Sequence, residues 1–334
     1  MRHTRLTAAL TLAAALGAVL GAQSQAGGAA PPADPAPAAQ AGPASEPGTS
    51  QPGQRPAFRA GIDIVSLNVT VTDGTGRYVT DLDGPDFLVF ENGVNQEISF
   101  FSRRQNPISL SLLLDSSASM EHKLPTLQAA AAQFVRRLKP ADLAQVIDFD
   151  GIASIRQEFT SDHEALERGI LKMAPGGSTA LHNAIYVALS QLKKVRVDSD
   201  EEPRRQALIV FSDGEDTSSL ISFDDVLDLA KRSETAIYTI GLRDRRSQAA
   251  GFRSSEFVLR TLALETGGRS FFPSTIGDLS MVYGQIADEL SSQYAIGYVS
   301  NNPRRDGAWR PVIVQVSRPN VTSRTKRGYY APTR

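Results

Sequence analysis

Residues 108–120 read ISLSLLLDSSASM, and the fold and the candidate site both follow from them. The near-continuous aliphatic run is typical of a strand that is buried on both faces of a parallel sheet. It ends at Asp115, and the hydroxyls of Ser117 and Ser119 follow at alternate positions. In open α/β sheets this end of a strand is where ligands bind. One carboxylate and two hydroxyls on a tight turn are hard oxygen ligands, so we predict a site for a hard cation such as Mg²⁺.

Two further stretches place oxygen atoms at the same edge of the predicted sheet. Residues 175–181, PGGSTAL, form a glycine-rich loop that opens a helix and presents the Thr179 hydroxyl. Residues 208–212 are a second buried strand, and it ends at Asp213 in an Asp-Gly turn. Between residues 106 and 292 strands alternate with helices, which indicates βαβ crossovers. We therefore predict a doubly wound α/β domain with a mostly parallel sheet.

These three motifs, in this order, resemble the metal-ion-dependent adhesion site of von Willebrand factor type A domains. The resemblance covers residue 108 to about residue 292. It implies that Ser117 and Ser119 ligate Mg²⁺ or Mn²⁺ through their hydroxyls. It also implies that Asp115 and Asp213 act directly or through water. Thr179 is then a ligand in at least one conformation.

The charge of the predicted site favours binding over cation storage. Two carboxylates only balance a divalent cation and hydroxyls add no charge, so water fills the remaining positions. A protein partner can then present an acidic residue to the metal. Each motif also has a simpler interpretation: the Asp-Ser-Ser-x-Ser turn and Thr179 could be helix caps, and Asp213 a turn residue.

Two β regions flank the α/β domain, at residues 58–105 and 293–334. Both alternate in the two-residue period of strands, and Asn92-Gly93 is a strong hairpin signal. We expect them to pair and to form one small β-sandwich-like module into which the α/β domain is inserted. Together with the ending Gly-Tyr-Tyr-Ala-Pro, this layout resembles bacterial proteins of the von Willebrand factor type A-related class.

The N-terminal residues predict export. A basic start and an alanine/leucine run over residues 1–26 are typical of a cleaved signal peptide. Residues 27–57 are rich in Ala, Pro and Gly and predict a disordered linker. No later segment is apolar enough to span a bilayer. We therefore expect the protein in the periplasm, in the cell envelope or outside the cell.

Several functional classes lack support in the sequence. A net charge of −1 gives no support for a nucleic-acid partner, and the absence of cysteine excludes thiol chemistry. We find neither Gly-x-Ser-x-Gly nor His-Glu-x-x-His. We expect a non-enzymatic binding protein. One alternative is a metal-assisted hydrolase with Asp148 or Glu215 as its base; the other is a structural envelope component.

Some side chains near the motifs have open roles. His122 and His182 each lie three residues beyond a predicted ligand, and we expect both to be solvated helix residues. Asp148 and Asp150 follow a neighbouring strand. They either tune the charge of the site or are ordinary turn residues.

Overall fold

The computed structural model describes residues 63–104, 106–198, 204–213, 216–242 and 250–333. The predicted signal peptide (1–26) and linker (27–57) lie outside these residues. The strands are β1 Ile64–Asp73, β2 Phe87–Glu91, β3 Val94–Gln96, β4 Ile98–Ser102, β5 Ile108–Asp115, β6 Leu143–Phe149, β7 Ala153–Thr160, β8 Arg205–Ser212, β9 Ala236–Gly241, β10 Ser270–Phe271, β11 Tyr294–Val299, β12 Trp309–Val316, β13 Val321–Arg324 and β14 Gly328–Tyr330.

The α-helices are α1 Leu124–Val135, α2 His163–Leu171, α3 Leu181–Asp198, α4 Phe223–Ser233, α5 Ala250–Thr266 and α6 Leu279–Leu290. Short 3₁₀ turns lie at Gly84–Asp86, Ala118–Met120 and Ile276–Asp278. None of the described helices is long and apolar enough to cross a membrane.

The central sheet has the strand order β10-β9-β8-β5-β6-β7, and all its pairs are parallel except β6–β7. All eight residues of β5 are buried, as expected of a strand in the middle of a covered sheet. Helices α1, α2 and α6 pack on one face, and α3, α4 and α5 pack on the other. The predicted doubly wound α/β fold is therefore confirmed.

The edge strand β7 has no counterpart in the sequence analysis. Its residues are only partly buried, because β7 pairs with one neighbour, β6, and runs antiparallel to it. A strand in this position does not need the aliphatic run that identifies β5. Its sequence, ASIRQEFT, consequently carries little of the hydrophobic signal on which strand prediction relies.

The flanking regions pair with each other across the α/β domain, as the sequence predicted. One antiparallel sheet has the order β13-β1-β11-β4 and the other β14-β12-β2-β3. Each therefore combines strands from before and after the insertion. Alternate residues of β1 (Val65, Leu67 and Val69) face a shared apolar core that includes Tyr294 and Tyr298. The domain boundaries at residues 26, 57, 105 and 292 stay predictions.

A buried polar cluster joins the two parts. Glu289, near the end of α6, is fully buried; it accepts a hydrogen bond from the Tyr238 hydroxyl at 2.8 Å and pairs with the Arg324 guanidinium at 2.5 Å. Tyr238 belongs to the central sheet, and Arg324 to β13 of the flanking module. Gln293 donates to Tyr238 and to Thr70 of β1. The module thus supplies the cation that compensates a buried carboxylate of the α/β domain.

Candidate metal centre

The turn after β5 brings its carboxylate against the end of β8. The parallel register sets Leu114 beside Phe211, so that Asp115 and Ser212 come next to each other. Asp115 is fully buried; it accepts hydrogen bonds from the Ser117 amide at 2.9 Å and the Ser212 hydroxyl at 2.7 Å. Burial raises the pKa of Asp115, and the negative charge of Asp213 raises it further. The hydrogen bonds from Ser117 and Ser212 lower this pKa, but they do not outweigh the burial. A cation at this edge would favour the ionised carboxylate.

Three side-chain oxygen atoms converge in front of this carboxylate. The Ser117 and Ser119 hydroxyl oxygens are 3.1 Å apart, and the Ser119 hydroxyl donates to Asp213 Oδ1 at 2.8 Å. Adjacent oxygen ligands of an octahedral Mg²⁺ are about 2.9 Å apart, because each lies roughly 2.0–2.1 Å from the metal. The spacing of these donors therefore fits the edges of such an octahedron.

The simpler interpretation as a helix cap does not describe this turn. Ser117 precedes the 3₁₀ turn Ala118–Met120, yet its side chain makes no capping hydrogen bond. Its hydroxyl is directed to Ser119 instead. Asp213 likewise accepts from the Ser119 hydroxyl and pairs with the Lys123 ammonium. The side chains of Ser117 and Asp213 therefore both contact the Ser119 hydroxyl.

The glycine-rich loop packs directly on the turn after β5. The Gly176 amide donates to the Ser116 carbonyl at 2.8 Å, and the Ala118 amide donates to the Gly177 carbonyl at 3.2 Å. Gly177 has φ +66°, and a Cβ there would lie 2.9 Å from Asp150 Oδ2. Only glycine meets both conditions without strain. Gly177 therefore lets this loop pack against Asp150 and against the turn after β5.

Thr179 lies on this loop and is buried. The Thr217 hydroxyl accepts from the Thr179 amide at 3.0 Å, and the Thr179 carbonyl accepts from the Thr217 amide at 2.8 Å. The first amide of α3, at Leu181, is capped by Asp216 instead. Within the described part of the chain the Thr179 hydroxyl has no hydrogen bond. It therefore neither caps α3 nor bonds to another predicted ligand.

Direct hydrogen bonds thus join Asp115, Ser117, Ser119 and Asp213, whereas Thr179 lies on the neighbouring loop. The described residues contain no group of three or more His, Cys, Asp or Glu side chains that could hold a metal. The described side chains that hydrogen bonds bring together at this edge offer the carboxylates of Asp115 and Asp213 and the hydroxyls of Ser117 and Ser119. Their chemistry suits Mg²⁺ and Mn²⁺, which prefer oxygen ligands.

The sequence analysis missed Lys123. This residue immediately precedes α1, and its ammonium forms an ion pair with Asp213 Oδ2. The Asp213 side chain is 2% exposed and that of Lys123 30% exposed. Asp213 is 90 residues away in the chain. The spacing from Ser119 places Lys123 near the turn, but no local pattern identifies its partner.

The residues with open roles have defined partners. Asp148 receives two hydrogen bonds from the Arg156 guanidinium, at 2.7 and 2.9 Å. His122 is exposed, as expected, but it lies in the turn before α1 rather than in a helix. The prediction of a solvated His182 is wrong: its side chain is 12% exposed and its Nδ1 lies 3.0 Å from Asp216 Oδ2. The loop after β8 folds back over the start of α3 and covers this ring, a tertiary contact that helix periodicity does not report. Glu215 lies outside the described residues.

Comparisons with known proteins agree with this architecture. Residues 110–215 match the sequence model of the von Willebrand factor type A domain. A UPF0353 protein of Mycolicibacterium paratuberculosis is 24% identical over 204 residues, which are 56% of this chain and 62% of that protein. The chain thus matches less than two thirds of that relative.

Solved structures show similarity at low sequence identity. A von Willebrand factor type A structure from Catenulispora acidiphila has a TM-score of 0.47 at 10% identity, covering 82% of this chain and 76% of that one. An aerotolerance-related membrane protein from Bacteroides fragilis has a TM-score of 0.43 at 20% identity, covering 54% and 98%. The matched segment, residues 110–215, begins within β5 and ends beyond β8, and in sequence it is similar to the von Willebrand factor type A domain.

Proposed function

We propose that this chain is an exported, non-enzymatic binding protein whose type A domain uses one Mg²⁺ or Mn²⁺ to hold a carboxylate of a protein partner. One observation carries the proposal. The Ser119 hydroxyl oxygen lies 3.1 Å from the Ser117 hydroxyl oxygen and 2.8 Å from Asp213 Oδ1. These are the residues that would hold the cation. The basic and apolar pattern of residues 1–26 supports export.

The composition of the site favours an additional ligand from outside. A six-coordinate cation would find two neutral hydroxyls and the carboxylates of Asp115 and Asp213. Both oxygens of Asp115 already accept hydrogen bonds, which supports a role through water or through charge alone. Several coordination positions are then left to water, and a bound cation can exchange one of these waters for a partner carboxylate.

Two exposed apolar side chains offer contact area beside the site. Ile152 is 70% exposed and Leu220 is 95% exposed. The loop of Ile152 is tied to the glycine-rich loop, because the Asp150 carbonyl accepts from the Ala180 amide at 2.7 Å. The loop of Leu220 is tied to the start of α3, where Asn183 accepts from the Leu220 amide at 3.2 Å. A partner segment with apolar residues near its acidic residue would fit this edge of the sheet.

The hydrolase alternative has less support. Asp148, one of its two candidate bases, is held by both nitrogen donors of Arg156 and is buried. A carboxylate held in a bidentate pair with arginine is not free to approach a metal-bound water. The other candidate, Glu215, lies outside the described residues. The remaining alternative is a structural envelope component, in which the cation stabilises the fold and meets no partner.

A capture experiment separates these possibilities. The full chain is immobilised and exposed to an envelope extract of the producing organism with Mg²⁺ or with EDTA. The baits are the wild type, the double variant Ser117→Ala/Ser119→Ala and a control, Ser66→Ala, on β1 of the flanking module. We expect a partner that the wild type and the control retain in Mg²⁺, and that EDTA and the double variant release.

Three results would contradict the proposal in different ways. A partner that stays bound in EDTA moves the interface away from the candidate site. Equal capture by the double variant excludes the two hydroxyls as ligands. Cleavage of a captured partner by the wild type, absent from the double variant, would support the metal-assisted hydrolase instead.

A further inference from the structure

Lys123 and Ser119 share one carboxylate. Asp213 Oδ1 accepts from the Ser119 hydroxyl at 2.8 Å, and Oδ2 pairs with the Lys123 ammonium. The carboxylate is almost fully buried. Lys123 stands at the N-terminus of α1, where the helix dipole disfavours a cation. The attraction of Asp213 therefore accounts for the position of the Lys123 ammonium. A cation held by Ser119 and Asp213 would lie close to this ammonium and would repel it.

The charges of the site show what this lysine changes. Asp115, Asp213 and Lys123 sum to −1 without a metal, and to +1 once a divalent cation is bound. With a neutral residue in place of Lys123, the sums are −2 and zero. The lysine thus opposes the arrival of the cation, and it leaves the loaded site with a net positive charge that a partner carboxylate neutralises.

We propose that Lys123 increases the cooperativity between cation binding and carboxylate binding at this site, an inference that rests on the proposed function. Alone, the cation binds weakly because it competes with the Lys123 ammonium for Asp213. An arriving carboxylate restores neutrality and so strengthens the hold on the cation. By thermodynamic reciprocity the cation strengthens carboxylate binding by the same factor. Lys123 is in this sense a specificity-determining residue for anionic partners.

The test measures Mn²⁺ binding to the full chain by isothermal titration calorimetry, with and without acetate at matched ionic strength. Acetate serves as the carboxylate probe. The variants are Lys123→Met and Lys123→Gln, which remove the charge, and Lys123→Arg, which keeps it. Lys193→Met is the control, because Lys193 is exposed and lies near the far end of α3 from the site. Thermal melts without metal show that each variant is folded.

We expect Lys123→Met and Lys123→Gln to bind Mn²⁺ about tenfold more tightly than the wild type without acetate, which is the size of effect that one nearby charge has on another group. Acetate should strengthen Mn²⁺ binding by the wild type, by Lys123→Arg and by the control more than it strengthens binding by the two neutral variants, in which only the direct contact between acetate and the metal remains. The variants are expected to fold, because Lys123 is partly exposed.

Two outcomes would overturn the inference and are distinguishable. If the wild type binds Mn²⁺ and both neutral variants bind it equally or more weakly, the role of Lys123 is refuted and the proposed function stands. If the wild type binds no Mn²⁺ with or without acetate, the proposed function fails and this inference fails with it.

Discussion

Replacing Arg324 by methionine tests the junction between the α/β domain and the flanking module. The substitution keeps much of the apolar stem and removes the guanidinium that pairs with the buried Glu289 carboxylate. It also removes the donor that the Gly267 carbonyl accepts from at 2.7 Å. Glu289 keeps the hydrogen bond from Tyr238, but its charge loses its compensating cation.

The expected loss of stability is large. Breaking a buried ion pair by removing one partner costs about 3–5 kcal/mol, because an uncompensated charge stays in the interior. The Glu289 side chain is fully buried, whereas that of Arg324 is 27% exposed, so solvent screens part of the interaction. We therefore expect Arg324→Met to lower the free energy of unfolding by about 2–4 kcal/mol. Glu289→Gln keeps an acceptor for Tyr238 and should cost less.

Urea denaturation followed by circular dichroism measures these free energies. The control is Arg318→Met, which removes an exposed pair with Asp81 and should cost no more than about 1 kcal/mol. The double variant Arg324→Met/Glu289→Gln should lose less stability than the sum of the losses in the two single variants, since no buried charge is left unpaired. If Arg324→Met costs no more than Arg318→Met, the junction does not depend on this pair.

Three further predictions concern the site and the module. Asp115→Asn should raise the melting temperature of the metal-free protein at pH 7, and it should abolish any further rise on adding Mg²⁺. The reason is that burial raises the pKa of Asp115, so the folded protein loses stability as the pH rises through the folded-state pKa of this carboxyl group. A lower melting temperature of the metal-free variant would contradict this. Thr179→Ala should weaken partner capture in surface plasmon resonance more than Mn²⁺ affinity in calorimetry; equal losses would make Thr179 an ordinary ligand. A chain shortened to residues 60–292 lacks β11–β14 and exposes the apolar face of β1. It should therefore aggregate, which size-exclusion chromatography would detect. A soluble monomer with unchanged β content per residue would refute the need for both flanks.

The sequence predicted the features that rest on local pattern. The aliphatic run of β5 located the centre of the sheet, and the polar residues after it located the edge where Asp115, Ser117 and Ser119 meet. The alternation in both flanks predicted their pairing, because strands with one apolar face must cover it. Asp213 was predicted from the same reasoning applied to β8.

What the sequence did not predict depends on tertiary contacts. The strand β7 carries too few apolar residues for its periodicity to show. The ion pair of Lys123 with Asp213 and the burial of His182 against Asp216 join distant segments, and no spacing rule reports them. Likewise, Glu289 is an unremarkable polar position in a helical pattern until Arg324 and Tyr238 are seen beside it.

Calorimetric titration of Mg²⁺ into the wild type and into Ser117→Ala/Ser119→Ala tests the central claim most directly. The two hydroxyls are small and close together, and the loss of both should leave the fold intact, as melting without metal will show. We predict one Mg²⁺ bound per wild-type chain and no measurable binding to the double variant. Undiminished binding to a folded double variant would contradict the assignment of the site to Ser117, Ser119 and Asp213.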